Sequence, residues 1–520
     1  MRSSLTGHLK RIVAAALLLP LCMAGGCGEA KEQGSRVFYE IYVGGFYDSD
    51  GDGTGDLQGI IQKLNYLNDG STHSEASLHV GGIYLMPIMP SPTYHKYDVT
   101  DYYSVDEAYG TLEDFKELAQ ECDKRDILLI IDMPVNHTAF ANPWFVAAWN
   151  ELRQGGDGRS TACEYYRFSQ DKKNESYYAV SGAPGWYYEA VFGAGMPDLN
   201  LDNNAVRQEI LDICRFWVDM GADGFRLDAV TSYYTGDREK NTEFLSWLCG
   251  EMTAYKDDIY IVGEVWADAA EIAELYLSGI DSLFNFPFSQ NGGAIIRALK
   301  NADGAALARA MERWQQQMSA ANPSAQDAVF LSNHDTLRSG WSFVGNTAMQ
   351  KQAAAIYLLM PGNAFIYYGE EIGMLGGAGL TDPDKRTPME WSVTDDTGMA
   401  LPVPGAADVI PVEAGVAQQL SDSESVLSFY IRVIQVRERY PQIANGIIKA
   451  LPLDAMALCG FTAQYGKSSV AVVHNLSSEQ VSVQWTAGGS ILDALTIGVQ
   501  SSELAGGVLS VPPWGTVIIG

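Results

Sequence analysis

The chain is short of positive charge, of cysteine and of long apolar runs. Lysine and arginine number 34 against 64 aspartates and glutamates, a net charge of -30. A surface this acidic repels a phosphate backbone and an anionic bilayer, which excludes nucleic acid and direct lipid contact as partners. Seven cysteines in 520 residues are too few and too scattered for a disulfide framework, and none has metal-ligand spacing. Cys122, Cys163, Cys214, Cys249 and Cys459 read as buried free thiols. No solenoid repeat and no low-complexity block is present. The one sustained apolar run, residues 12–23, is too short to span a bilayer.

That run follows Arg2, Lys10 and Arg11 and precedes Ala24-Gly25-Gly26-Cys27, so residues 1–27 read as an export signal. The small residues before Cys27 resemble a bacterial lipobox, with Ala24 where leucine is usual. The expectation is an exported protein: a cell-surface lipoprotein held by a lipid on Cys27 and a polar tether over residues 28–36, or a plainly secreted one. That lipid would be its only membrane link, and a monomer is expected.

Hydrophobic content of 47% with 19% charged residues is that of a globular enzyme. Short β-branched and aromatic runs predict strands at 37–43, 82–86, 127–131, 224–227, 259–262, 282–286, 328–331 and 365–368. Between them, amphipathic stretches such as 112–125, 205–220, 242–254 and 348–359 predict helices. Eight strands alternating with helices predict an α/β fold, a (β/α)8 TIM barrel over residues 37–136 and 201–446. Residues 137–200 are rich in aromatics and glycine and too long for a bare loop, so they read as a domain inserted after the third strand. A helix over 426–440 ends at Pro441, and residues 447–520 then alternate as short strands, predicting an antiparallel β-sandwich.

Four acidic segments stand where predicted strands end: Asp132-Met133-Pro134-Val135-Asn136-His137, Gly224-Phe225-Arg226-Leu227-Asp228, Gly263-Glu264-Val265-Trp266 and Ser332-Asn333-His334-Asp335. Acids at the C-terminal ends of barrel strands share one face, and paired carboxylates there suit glycosidic-bond cleavage. A second acidic pattern, Asp48, Asp50, Asp52, Thr54 and Asp56 interleaved with glycines, suits a hard cation such as Ca2+. Gly59 stands where an EF-hand needs glutamate, and a strand precedes the loop, so it is not an EF-hand.

With Gly82-Ile83-Tyr84-Leu85-Met86-Pro87, Met196-Pro197-Asp198-Leu199-Asn200 and Tyr367-Tyr368-Gly369-Glu370-Glu371, these segments resemble the α-amylase family, glycoside hydrolase family 13, in the family's order. The Met196–Asn200 wording resembles the intermediary group between oligo-1,6-glucosidases and neopullulanases. The resemblance implies Asp228 as nucleophile, Glu264 as general acid/base and Asp335 as third acid. It implies Arg226, His137, His334 and Tyr97 as sugar-site residues, with Asp132 as a brace. It makes the acidic loop a calcium site, with Asp48, Asp50, Asp52 and Asp56 ligating by side chain and Thr54 by its carbonyl. A second calcium would use Asn136 and Asp198, but Ala229-Val230-Thr231-Ser232 replaces the usual wording there, and that ion is not assigned. The implied activity is endo-hydrolysis of α-1,4-glucan polysaccharide and oligosaccharide. An exo-acting α-glucosidase or oligo-1,6-glucosidase is the alternative, favoured if an acid–arginine pair such as Asp98 with Arg386 closes the pocket. A transglycosylase shares the same residues. A glycan-binding lipoprotein on a dead barrel is disfavoured because all three acids are present.

Overall fold

A computed structural model describes residues 35–71 and 73–520, so the export-signal and lipid expectations lie outside the described residues. Eight strands form one parallel sheet: β1 Val37–Ile41, β2 Gly82–Leu85, β3 Leu128–Met133, β4 Gly224–Leu227, β5 Tyr260–Gly263, β6 Ser282–Leu283, β7 Ala328–Phe330 and β8 Asn363–Tyr367. Their order, β7-β8-β1-β2-β3-β4-β5-β6, is closed into a barrel by a parallel bridge from Phe284 to Ala328. Side chains alternate across each strand. Phe38, Tyr84, Ile130, Val262, Phe330 and Phe365 therefore fill the interior, while Tyr39, Ile41, Ile83 and Ile131 pack under the helices. Phe38 stacks on Phe365 at 4.8 Å and on Tyr260 at 5.1 Å. Gly224 opens β4 because a Cβ there would stand 1.8 Å from the Tyr260 carbonyl oxygen.

Two strands differ from expectation. The first stops at Ile41 because Val43–Phe46, with Gly44 and Gly45, turns into one helical turn. The sixth holds only Ser282–Leu283 as a regular strand, since the chain turns into Pro287, which has no N–H to give. The helices fall where periodicity places them. Leu112–Asp123 starts at a Thr111–Asp114 capping box, and Asn204–Met220 ends at Gly221 with φ 113°.

Between β3 and β4 a small antiparallel sheet forms from Phe168–Ser169, Tyr187–Glu189 and Tyr177–Ala179. Its aromatics mostly pack on one another, with Phe145 against Trp149, Tyr166, Phe168 and Tyr188. It is tied to the end of β3 by an antiparallel bridge, His137 to Asp198, and by the Leu199 N–H donating to the Asn136 carbonyl at 2.9 Å. At the C-terminus a five-stranded and a three-stranded antiparallel sheet share one core, Val473 and Val517 facing Trp485 and Leu509. The five described cysteines are buried and unpaired. Among the described residues no helix is long and apolar enough to cross a membrane.

Candidate active site

The acids meet at the C-terminal ends of the barrel strands, organised around one guanidinium. Arg226 sits inside β4, 1% exposed. Its Nη1 lies 2.7 Å from Asp228 Oδ1 and 3.0 Å from Asp132, and its Nη2 lies 3.1 Å from Glu264 Oε2. Strand alternation puts Arg226 and Asp228 on one face, and β5 delivers Glu264 beside them. The two acids therefore contact the two ends of a single planar group. Ala229 adopts φ 48° without being glycine, and its N–H donates to Glu264 Oε2 at 3.0 Å. That strained residue couples the backbone after Asp228 to the second acid.

Burial holds Asp228 well above the usual carboxylate range. Arg226 opposes the rise, and the negative Glu264 and Asp132 add to it. Three carboxylates, Asp132, Asp228 and Glu264, thus share one cation. Asp132 is fully buried and also accepts from Tyr84 OH at 2.5 Å and Tyr97 OH at 2.8 Å. It braces Arg226, as expected.

His334 is gripped at both ring nitrogens, by Glu40 at 2.5 Å from Nδ1 and by Asp335 at 3.0 Å from Nε2. Burial would lower it, but Asp335 and Glu40 push it up to about 10, so it is an imidazolium. Burial would raise Asp335, but His334 and Arg386 hold it below the usual carboxylate range. The Tyr97 hydroxyl takes the His334 Nε2–H at 2.6 Å and donates to Asp132, and its ring stacks on His334 at 5.6 Å. Lys96, at φ 60°, presents Tyr97 and is anchored by its Nζ, 2.6 Å from Asp106. His137 is buried, pushed down to about 4 by that burial, and its Nε2 has no hydrogen-bond partner.

Asp98 and Arg386 do not form the closing pair that an exo pocket would use. Asp98 Oδ1 accepts from Ser91 Oγ at 2.7 Å and from Thr93. Arg386 is bound to Asp335 at 3.3 Å, to Asp382 and to Tyr94 OH at 3.1 Å. Among the described residues no ion pair joins Asp98 to Arg386.

In the acidic loop, carboxylate oxygens of Asp48, Asp50 and Asp56 lie within 4.8 Å of one another. Asp48 accepts the Gly51 and Gly53 N–H groups at 2.7 and 2.8 Å, and Asp56 accepts Ser49 N–H at 2.8 Å. Asp52 stands outside this group, exposed, its carboxylate accepting the Thr54 N–H at 2.7 Å. Among the described residues no lysine or arginine pairs with these acids, so hard-oxygen ligands converge without a counter-charge, which fits Ca2+. Asn136 Nδ2 donates to Asp198 Oδ1 at 3.2 Å. Burial pushes Asp198 up to about 7.

Sequence reasoning missed Glu40, Tyr84, Tyr94 and Asp382. Glu40 carried a signal, as the lone charge in the buried strand VFYEI, whereas Tyr94 and Asp382 carried none. Trp266, next but one to Glu264, is 51% exposed and stacks on Phe286 at 4.8 Å.

Residues 40–446 match the family described as alpha amylase, catalytic domain, and residues 458–518 match the alpha-amylase SusG C-terminal domain. Alpha-amylase 3 of Dictyoglomus thermophilum is 34% identical over 93% of each chain. An oligo-1,6-glucosidase of Parageobacillus thermoglucosidasius is 29% identical over 85% of this chain and 90% of its own. Among solved structures, Eubacterium rectale Amy13B superposes with a TM-score of 0.88 at 38% identity, covering 94% of this chain and 95% of its own.

Proposed function

The chain belongs to the α-amylase catalytic-domain family of glycoside hydrolases, and on that premise we propose that it is a retaining, endo-acting α-1,4-glucan hydrolase working by double displacement. Its substrates are starch-like polysaccharide and maltooligosaccharides. The observation that carries this reading is the single guanidinium joining Asp228 to Glu264.

In the first step Asp228 attacks the anomeric carbon and forms an ester, while Glu264 gives its proton to the departing glycosidic oxygen. In the second, Glu264 takes a proton from water, the resulting hydroxide attacks the same carbon, and Asp228 leaves with inversion undone. The cycle needs one proton shared between these two carboxylates. Arg226 keeps Asp228 oriented. Asp335, held ionised by His334 and Arg386, faces the positive charge that grows on the sugar ring. His137 and His334 bind hydroxyls, and the Tyr97 ring packs on the sugar's apolar face. Asp48, Asp50 and Asp56, with Asp52 and the Thr54 carbonyl as further ligands, would hold Ca2+, which supplies rigidity to the loop after β1.

Asp228→Asn is expected to lower starch hydrolysis by several orders of magnitude, and product released by wild type is expected to carry the α-anomer by proton NMR. A variant with near-full activity, or a β-product, would refute the assignment. Maltoheptaose blocked at its non-reducing end is cut by an endo-enzyme and left intact by an exo-enzyme; product analysis at high maltotriose reveals transglycosylation. Export with a lipid on Cys27 is part of the proposal, tested by palmitate labelling that Cys27→Ser abolishes.

A further inference from the structure

Away from the mouth, an open groove of about 800 Å³ runs down the outer ring of helices. It lies between the helix Arg238–Tyr255, which follows β4, and the helix Ala269–Leu275 with the turn Tyr276–Ser278, which follow β5. None of the acids of the cleavage site lines it. Both helices start from the mouth, because each follows a strand that ends there. Arg238 ties them together at that end, with Glu271 at 2.9 Å and Glu274 at 3.3 Å. Trp247 stands half-buried about 13 Å further down its helix. Leu277 of the neighbouring turn, 66% exposed, shares the groove with it. The indole is held in place by the Arg207 guanidinium at 5.1 Å and by Phe244 at 5.3 Å, so a ligand has no ring rotation to stop. Glu239, Glu243 and Ser246 follow one another along the same helix face. They are exposed and have no side-chain partner among the described residues.

The lining selects the ligand. Only Trp247 and Leu277 in it are apolar, too little for the dry centre of a protein interface. Its acids repel a polyanion. Among the described residues they form no convergent group of three that could hold a metal ion. A neutral, polyhydroxylated chain fits all of these conditions. Its apolar ring face packs on the indole, and its hydroxyls donate to Glu239, Glu243 and Ser246. Resting on the reading of the substrate as α-glucan, we propose that this groove is a second, non-catalytic binding site for starch-like polymer. A chain held there lies beside the strands that carry Asp228 and Glu264, so its next segment meets the mouth at a raised effective concentration. Maltotriose, which fills one place at a time, gains nothing from the groove.

The test is the binding of full-length protein to raw starch granules, read in an Asp228→Asn background so that the granules are not digested. Trp247→Ala and the double variant Glu239→Ala/Glu243→Ala are each expected to weaken granule binding by about fivefold or more. The same changes in active enzyme should leave kcat/KM on maltotriose within about twofold of wild type, while activity on granules falls. Trp247 packs on Phe244, so its loss can disturb the helix. The two glutamates have no such partner, and the double variant therefore decides. Granule binding by the double variant equal to that of its parent overturns the site. So does a parallel loss on maltotriose, which would put these residues in the cleavage cleft. Failure of the α-glucan reading shows separately, as wild type that neither binds granules nor hydrolyses starch.

Discussion

Replacing Glu40 by glutamine asks whether His334 works as a cation. Glu40 is 1% exposed, and its Oε1 accepts the N–H of His334 at 3.2 Å and faces its Nδ1 at 2.5 Å. Two unit charges about 4 Å apart attract by about 4 kcal/mol at an effective dielectric of about 20, and about 1.4 kcal/mol moves a pKa by one unit. Removing the Glu40 charge therefore takes up to about three units from His334, which stands at about 10 in the intact site. The intact imidazolium persists through neutrality, whereas in Glu40→Gln it loses its proton near there. Above that point Asp335 loses the positive neighbour that holds it ionised and in place. The variant's kcat/KM on maltotetraose is expected to fall on the alkaline side with a new inflection near neutral pH, where wild type has none. The stability sign agrees. A histidine raised on folding contributes fully below its unfolded value of about 6.5 and loses that contribution as pH climbs through about 10. The melting-temperature gap between wild type and variant should thus be widest at low pH. Superimposable normalised pH profiles, with the His334 imidazole NMR titration unmoved, would refute the reasoning.

Three further outcomes follow from charges placed by the fold. Burial pushes Asp327 up to about 7, so ionising it costs stability as pH rises from about 4 towards that value. Asp327→Asn should raise the melting temperature by about 1–3 °C above neutrality, by less at about pH 5 and not at about pH 3, and a gain equal at all three would contradict the burial argument. Chelation with EGTA should lower the melting temperature of wild type, and calcium should restore it, while Asp48→Asn responds to neither; identical responses would remove Ca2+ from the loop. Arg226→Lys keeps the charge but cannot span Asp228 and Glu264 together, so kcat should fall by about 10²–10³, and a lysine variant with wild-type kcat would show that charge alone suffices.

The barrel was legible because its strands are buried on both faces and bounded by turn residues, so their apolar runs stand out even without a helix-like period. The acids were legible because a carboxylate ending such a run has no structural reason to be there. Pairings between distant loops were not. Asp98 with Arg386 was a reasonable pair by charge, yet Ser91 and Thr93 sit within the same turn as Asp98 and satisfy it locally. Arg386 instead binds Asp382 on its own turn, Asp335 and the Tyr94 hydroxyl.

The mouth of the barrel is more negative than its ion pairs suggest. Glu40, Asp132, Asp228, Glu264 and Asp335 share only Arg226, His334 and the Nη2 end of Arg386. Among these described residues the carboxylates outnumber the cations. In a resting protein that excess is a cost, since like charges in a buried site repel. During glycoside cleavage the sugar ring becomes positive, and the excess turns into attraction at the moment the charge appears, with no dipoles left to reorient. Arg226 therefore neutralises enough charge for the acids to fold together and leaves enough for the transition state to use. A second arginine at the same place, however well it packed, would stabilise the fold and slow the reaction.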